Sequence, residues 1–100
     1  MTEKRLVKML KALSNPNRLR LFEEIRRAGE STYEGGTACF LNHVVEHLKI
    51  GAPTVSHHLK ELVNAGLVVT EKQGKFVLCR VHQAYFGQLG RFFGDAAPEV

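Results

Sequence analysis

Five histidines, two cysteines and one cluster of short polar side chains carry the chemistry available to this chain. His43 and His47 are four residues apart, which on a helix puts both imidazoles on one face as half of a tetrahedral metal site. Two ligands are not four, and exposed histidines at this spacing are ordinarily solvated, so neither a metal nor another cofactor is expected. Cys39 and Cys79 are too few for a disulfide scaffold. They read either as two small buried apolar side chains or as a thiol pair open to oxidation. No recognised motif brings a nucleophile and a base together, and there is no Gly-rich phosphate loop, which counts against an enzyme. The remaining set is Thr54, Ser56, His57, Lys60 and Asn64, with Glu61 the one acid among them. Hydroxyl, imidazole, ammonium and amide groups of this kind hydrogen-bond to base edges or phosphates without a deep pocket.

Presenting that set requires a helix whose opposite face is buried. Pro53 suits a first helical turn, and Val55, Leu59, Leu62 and Val63 supply the inner stripe, which turns the polar set outward. Ala65-Gly66-Leu67 reads as a Schellman stop, with the apolar residue folding back after the glycine. Ahead of this helix, Phe40, Leu41, Val44, Val45 and Leu48 mark a short one, broken by residues 49–52. Behind it, Leu67-Val68-Val69-Thr70 and Phe76-Val77-Leu78-Cys79-Arg80-Val81 flank residues 71–75 as a hairpin with a basic tip. Lys72, Gln73 and Lys75 are placed there to reach a nucleic-acid backbone or minor groove.

Upstream, Leu6, Leu10 and Leu13, with Val7 beside them, put one stripe of a first helix inside. Ser14 and Asn15 are capping residues for a second helix opened by Pro16. Leu19, Phe22 and Ile25 form its apolar face, flanked by Leu21 and Ala28, and Gly29 is its expected stop. Residues 30–37 read as a surface loop. At the end of the chain, Tyr85, Phe86, Leu89, Phe92 and Phe93 share a broad helical face that Gly87 and Gly90 weaken. The expected fold is mainly α with a small β-hairpin wing (α+β). It is a single winged helix-turn-helix domain over residues 1–100, with five helices and a two- or three-stranded sheet.

The stretch Ala52-Pro53-Thr54-Val55-Ser56-His57-His58-Leu59-Lys60-Glu61-Leu62, followed by Ala65-Gly66-Leu67-Val68, resembles the recognition segment of the ArsR/SmtB family of bacterial winged-helix repressors. Leu10-Lys11-Ala12-Leu13-Ser14-Asn15-Pro16-Asn17-Arg18-Leu19-Arg20-Leu21 is similar to the start of that family's second helix. The wing from Gln73-Gly74-Lys75-Phe76-Val77 to Val81 fits as well. The resemblance spans roughly residues 6–82 in the family's order. It implies a homodimeric transcriptional repressor, released by a small signal, whose partner is double-stranded DNA with an inverted-repeat operator. First and last helices would pair across a two-fold axis through Leu6, Leu10, Tyr85, Phe86, Leu89, Phe92 and Phe93. A short chain also has too little of itself to cover so aromatic a terminal helix, although Phe86, Leu89 and Phe92 can instead close its own core.

Other positions divide between roles. Arg18 reads as a phosphate clamp or as one half of a salt bridge, and His58 as a packed core histidine. Gly51 and Ala52 stand where the family often has a hydroxyl and an amide. The family's Cys-x-Cys metal ligands fall on Phe40 and Asn42, and of the ligands on its last helix only His82 lies in the matching region. Winged-helix folds commonly pair the residues before the third helix with the second wing strand, which would bring the sulfurs of Cys39 and Cys79 together.

The 100 residues suffice for one core, with 44% hydrophobic and 24% charged side chains, near the globular average. Net charge is +4, but residues 1–27 hold eight Lys/Arg against three Glu, while the rest is slightly acidic. Charge alone permits an acidic partner or a merely solvated helix face. No apolar run approaches a membrane span, and the charged start has no signal-peptide stretch behind it, so a cytoplasmic location is expected. The competing reading is a winged-helix module that dimerises and docks a protein without reading DNA. The outward face of residues 53–64, with its single acid, speaks for DNA.

Overall fold

A computed structural model of the chain describes residues 2–30, 38–48 and 51–96. In chain order the elements are α1 (Glu3–Leu13), α2 (Pro16–Glu30), β1 (Ala38–Phe40), α3 (Leu41–Leu48), α4 (Ala52–Asn64), β2 (Val68–Gln73), β3 (Phe76–Val81) and α5 (Gln83–Ala96). The first two helices start where side chains satisfy their orphan N–H groups. Thr2 Oγ1 accepts from the Arg5 amide at 3.1 Å, and Asn15 Oδ1 accepts from the amides of Asn17 and Arg18 at 2.9 and 3.1 Å. Each cap contributes about 1 kcal/mol. Helix α2 runs through Gly29 instead of stopping there. One interior glycine costs only about 1 kcal/mol, less than the burial of the apolar residues the helix carries.

The helices lie rotated from what their leucines suggest. In α1 the buried residues are Met9 and Ala12, with Leu6 and Leu13 packed beside them, while Val7 and Leu10 are exposed. In α2 Leu21 is buried and Leu19 is left 44% exposed. In α4 the inward positions are Val55, His58, Leu59, Leu62 and, just past its end, Ala65; Val63 faces outward. In each case two apolar faces adjoin, and the one that meets a neighbouring element is the one that goes inside.

The sheet is three-stranded and antiparallel in the order β1-β3-β2. Phe40 is therefore the last strand residue, paired with Leu78, and not the first of the helix that follows. The hairpin is longer than its sequence suggests. Glu71, Lys72 and Gln73 pair with Leu78, Val77 and Phe76, leaving a two-residue loop of Gly74 and Lys75. Gly74 has φ 63°, the left-handed conformation that primed hairpin turns require.

At the end of α4 the Leu67 amide donates to the Leu62 carbonyl and that of Gly66 to Val63, both at 3.0 Å. This is the Schellman pattern, with Gly66 at φ 85° and Leu67 fully buried. The core joins Met9, Phe22, Ile25, Val44, Leu62 and Leu67, and Phe22 meets Phe86 of α5 edge-on at 5.3 Å. Side chains of this size each contribute about 1.5–3 kcal/mol when fully buried.

Candidate nucleic-acid interface

Helix α4 packs on α1, α2 and β2. Burial of Val55, His58, Leu59 and Leu62 sets its rotation, and Thr54, Ser56, His57, Lys60 and Asn64 are all left exposed. Thr54 lies in the first turn and Ser56 and His57 at the start of the second, within the N-terminal half of the helix, the part of a recognition helix that meets base edges. Lys60 and Asn64 follow one and two turns later, at about 1.5 Å per residue. The last turn is tied back to the fold, since Arg5 Nη1 donates to the Asn64 carbonyl at 3.4 Å.

Lys72, Gln73 and Lys75 are exposed around the hairpin loop. Phe76 beside them is 45% exposed, with Lys75 Nζ 5.7 Å from its ring centre. The other contact of Phe76 is Phe40 at 5.8 Å, and Phe40 lies 6.3 Å from the His43 ring. These rings brace the wing against the start of α3. Sequence patterns pass over that contact because Phe40 looks helical until its strand pairing is known.

Arg18 is held inside the protein. Its Nε donates to the Ala12 carbonyl at 3.0 Å, and its Nη1 is 4.0 Å from Glu61 Oε2. With side chains 20% and 41% exposed, the ion pair is worth at most about 1 kcal/mol. The bond to Ala12, which caps an orphan carbonyl at the end of α1, is the firmer tie. His58 is buried, and its Nδ1 has no hydrogen-bond partner among the described residues. Burial holds its pKa below the ordinary histidine value, and the charges of Arg18 and His57 add to this against an opposing pull from Glu61.

The candidate switch residues are placed unequally. Cys39 is the Cα partner of Cys79 across β1 and β3. Cys79 is wholly buried, and the side chain of Cys39 lies outside the described residues. His43 and Asn42 are exposed, and the side chain of His47 also lies outside the described residues, as do residues 31–37. No group of three metal-binding side chains occurs among the described residues. His82 caps α5: its Nδ1 accepts from the Tyr85 amide at 3.3 Å, and the two rings stack at 4.3 Å.

The aromatic face of α5 divides. Leu89 is buried in the chain's own core, and Leu6, Tyr85 and Phe86 pack against that core. Leu10, Phe92 and Phe93 remain 37%, 41% and 51% exposed. No helix among the described residues is long and apolar enough to cross a membrane.

The sequence matches the model of the family described as "Helix-turn-helix domain" over residues 13–71. It is 40% identical over 74 residues to the arsenical resistance operon repressor of Staphylococcus xylosus, covering 74% of this chain and 62% of that one. The chain thus spans less than two thirds of that relative's length. Among solved structures, the transcriptional repressor BigR from Xylella fastidiosa superposes with TM-score 0.64 and 26% identity, covering 99% of this chain and 100% of that one. A homodimeric winged helix-turn-helix DNA-binding domain from Mycobacterium bovis superposes with TM-score 0.66 at 19% identity, covering 96% and 83%.

Proposed function

Because the chain belongs to the ArsR family of winged helix-turn-helix proteins, we propose that it is a homodimeric repressor that reads duplex DNA through α4. The observation that carries this reading is the outward face of α4. Thr54, Ser56, His57, Lys60 and Asn64 are exposed together there, on a helix whose opposite side is locked into the core. The wing adds Lys72 from β2 and Lys75 from its loop as contacts to the phosphate backbone. A two-fold dimer matches an inverted repeat with half-sites about one helical turn apart. Such a regulator works in the cytoplasm and involves no catalytic step.

The shared rung of Cys39 and Cys79 supports a thiol-responsive form of release. Peroxide would take two electrons and two protons from the thiols, giving a disulfide and water. Operator affinity lost on peroxide treatment and kept in Cys79→Ser supports that form, and unchanged affinity with both thiols still alkylatable rejects it.

The test of the main reading is fluorescence anisotropy with a labelled duplex from upstream of the protein's own gene and a scrambled duplex of equal composition. The native duplex binds more tightly, and its affinity falls by orders of magnitude between about 50 and 200 mM salt as ~6–10 phosphate contacts are lost. Equal affinity for both duplexes, or indifference to salt, rejects sequence-specific binding and favours a protein-docking module.

A further inference from the structure

A cleft of about 180 Å³ opens where α1, α2 and α4 meet. Lys8 and Lys11 line it from α1, Arg18 from α2, and Glu61 and Asn64 from α4. Ala12 and Ala65 add apolar surface. The joint is not a pair of solvated lysines alone. Arg18 is only 20% exposed and is fixed by its bond to the Ala12 carbonyl, so its guanidinium is pre-positioned. Its charge and that of Glu61 both act on buried His58, whose Nδ1 has no partner among the described residues.

We infer that this cleft binds a small phosphate monoester. Three cationic side chains border a space large enough for a phosphate and a short carbon chain, and charge-assisted bonds from Arg and Lys favour a dianionic head. The alanines and lysine stems cover the chain, while Glu61 and the Asn64 amide accept hydrogen bonds from its hydroxyls. A free monoester and a DNA phosphate present the same chemistry to these cations, and the binding tests below separate the two. An occupant touches both α1 and α4 and draws Arg18 from Glu61. Provided α4 reads DNA as proposed above, filling the cleft changes operator affinity.

The experiment is a titration of the full chain without DNA by amide NMR, using glycerol 3-phosphate at constant ionic strength, with inorganic phosphate and glycerol as partial probes. Saturable shifts centred on Lys8, Lys11, Arg18 and Asn64 are expected, weaker with phosphate and absent with glycerol. The double variant Lys8→Gln/Lys11→Gln should weaken binding by about tenfold or more at an unchanged melting temperature. Shifts that never saturate, that spread over all lysines, or that persist in the double variant overturn the site.

Operator binding with and without saturating glycerol 3-phosphate then tests the coupling. An unchanged operator affinity overturns the link and leaves the site. A double variant that loses affinity for every duplex with a shallower salt dependence, in a protein that takes up no glycerol 3-phosphate, assigns the lysines to the DNA backbone. That result overturns the cleft and leaves the DNA reading intact.

Discussion

His57 stands exposed on the second turn of α4, and its neighbour His58, one position on, is buried. Two identical side chains are thus given opposite environments by a rotation of about 100° along the helix. For His57, replacement by alanine should leave stability unchanged and reduce discrimination between operator and scrambled duplex by about 1–3 kcal/mol, measured by competition anisotropy. Retained discrimination would mean that the reading residues lie elsewhere on the helix.

For His58 the consequence is a pH dependence of folding. Its folded pKa is lowered from 6.5, chiefly by burial and then by Arg18. The folded state therefore binds fewer protons than the unfolded state just below that value. Its stabilising effect is complete above 6.5 and is lost as pH falls through the lowered folded value. Urea denaturation should show stability falling from pH 7.5 toward 5, and His58→Leu should flatten that slope. Glu23 does not blur the result, because its hydrogen bond with Arg26 holds its carboxyl below 4.5, so it titrates in a more acidic window. The outward placing of His57 and the inward placing of His58 were readable from the apolar residues around them. The inward tie of Arg18 was not, since its acceptor Ala12 and its partner Glu61 lie on other helices.

At the scale of elements, the stop after α4 shows how a local signal acquires a distant reason. Gly66 takes φ 85°, as a Schellman glycine does, but a Cβ there would also meet Tyr85 Cδ2 at 2.8 Å and Arg5 Nη1 at 3.0 Å. The ring has little room to retreat, because His82 stacks on Tyr85 and the Arg5 guanidinium carbon lies 5.1 Å from the ring centre. Gly74 has a similar φ of 63° with nothing within 4 Å of its missing Cβ. Gly74→Ala should therefore cost only the left-handed penalty, about 1–2 kcal/mol, and Gly66→Ala about 2–4 kcal/mol once overpacking is added. Equal denaturation midpoints for the two variants would show that the Tyr85 contact is soft. The turn was legible in Ala65-Gly66-Leu67, but the packing of α1 and α5 around it needed the fold.

For the whole molecule, the exposed rings of Phe92 and Phe93, 5.4 Å apart on α5, are apolar surface that the described residues do not cover. Phe92→Glu/Phe93→Glu should leave the chain folded, since neither side chain belongs to the core, and should shift it to monomer in sedimentation equilibrium. Operator affinity should fall by about 10²–10⁴, the advantage of binding two linked half-sites. A variant that stays dimeric would place the interface elsewhere.

The amino-acid order by itself determined the succession of helices, hairpin and outward polar face. Caps, turns and apolar periods act between neighbours a few residues apart and need no partner to be recognised. Only the tertiary structure decided that Leu21 rather than Leu19 goes inside and that Phe40 ends a strand, whereas the rung shared by Cys39 and Cys79 was already expected from the resemblance. The tertiary structure also decided that Arg18 joins three helices around a basic cleft. Each of these outcomes rests on contacts between segments far apart in the chain. Their gain in burial is realised only after the loops between them have closed, and no local pattern records that gain.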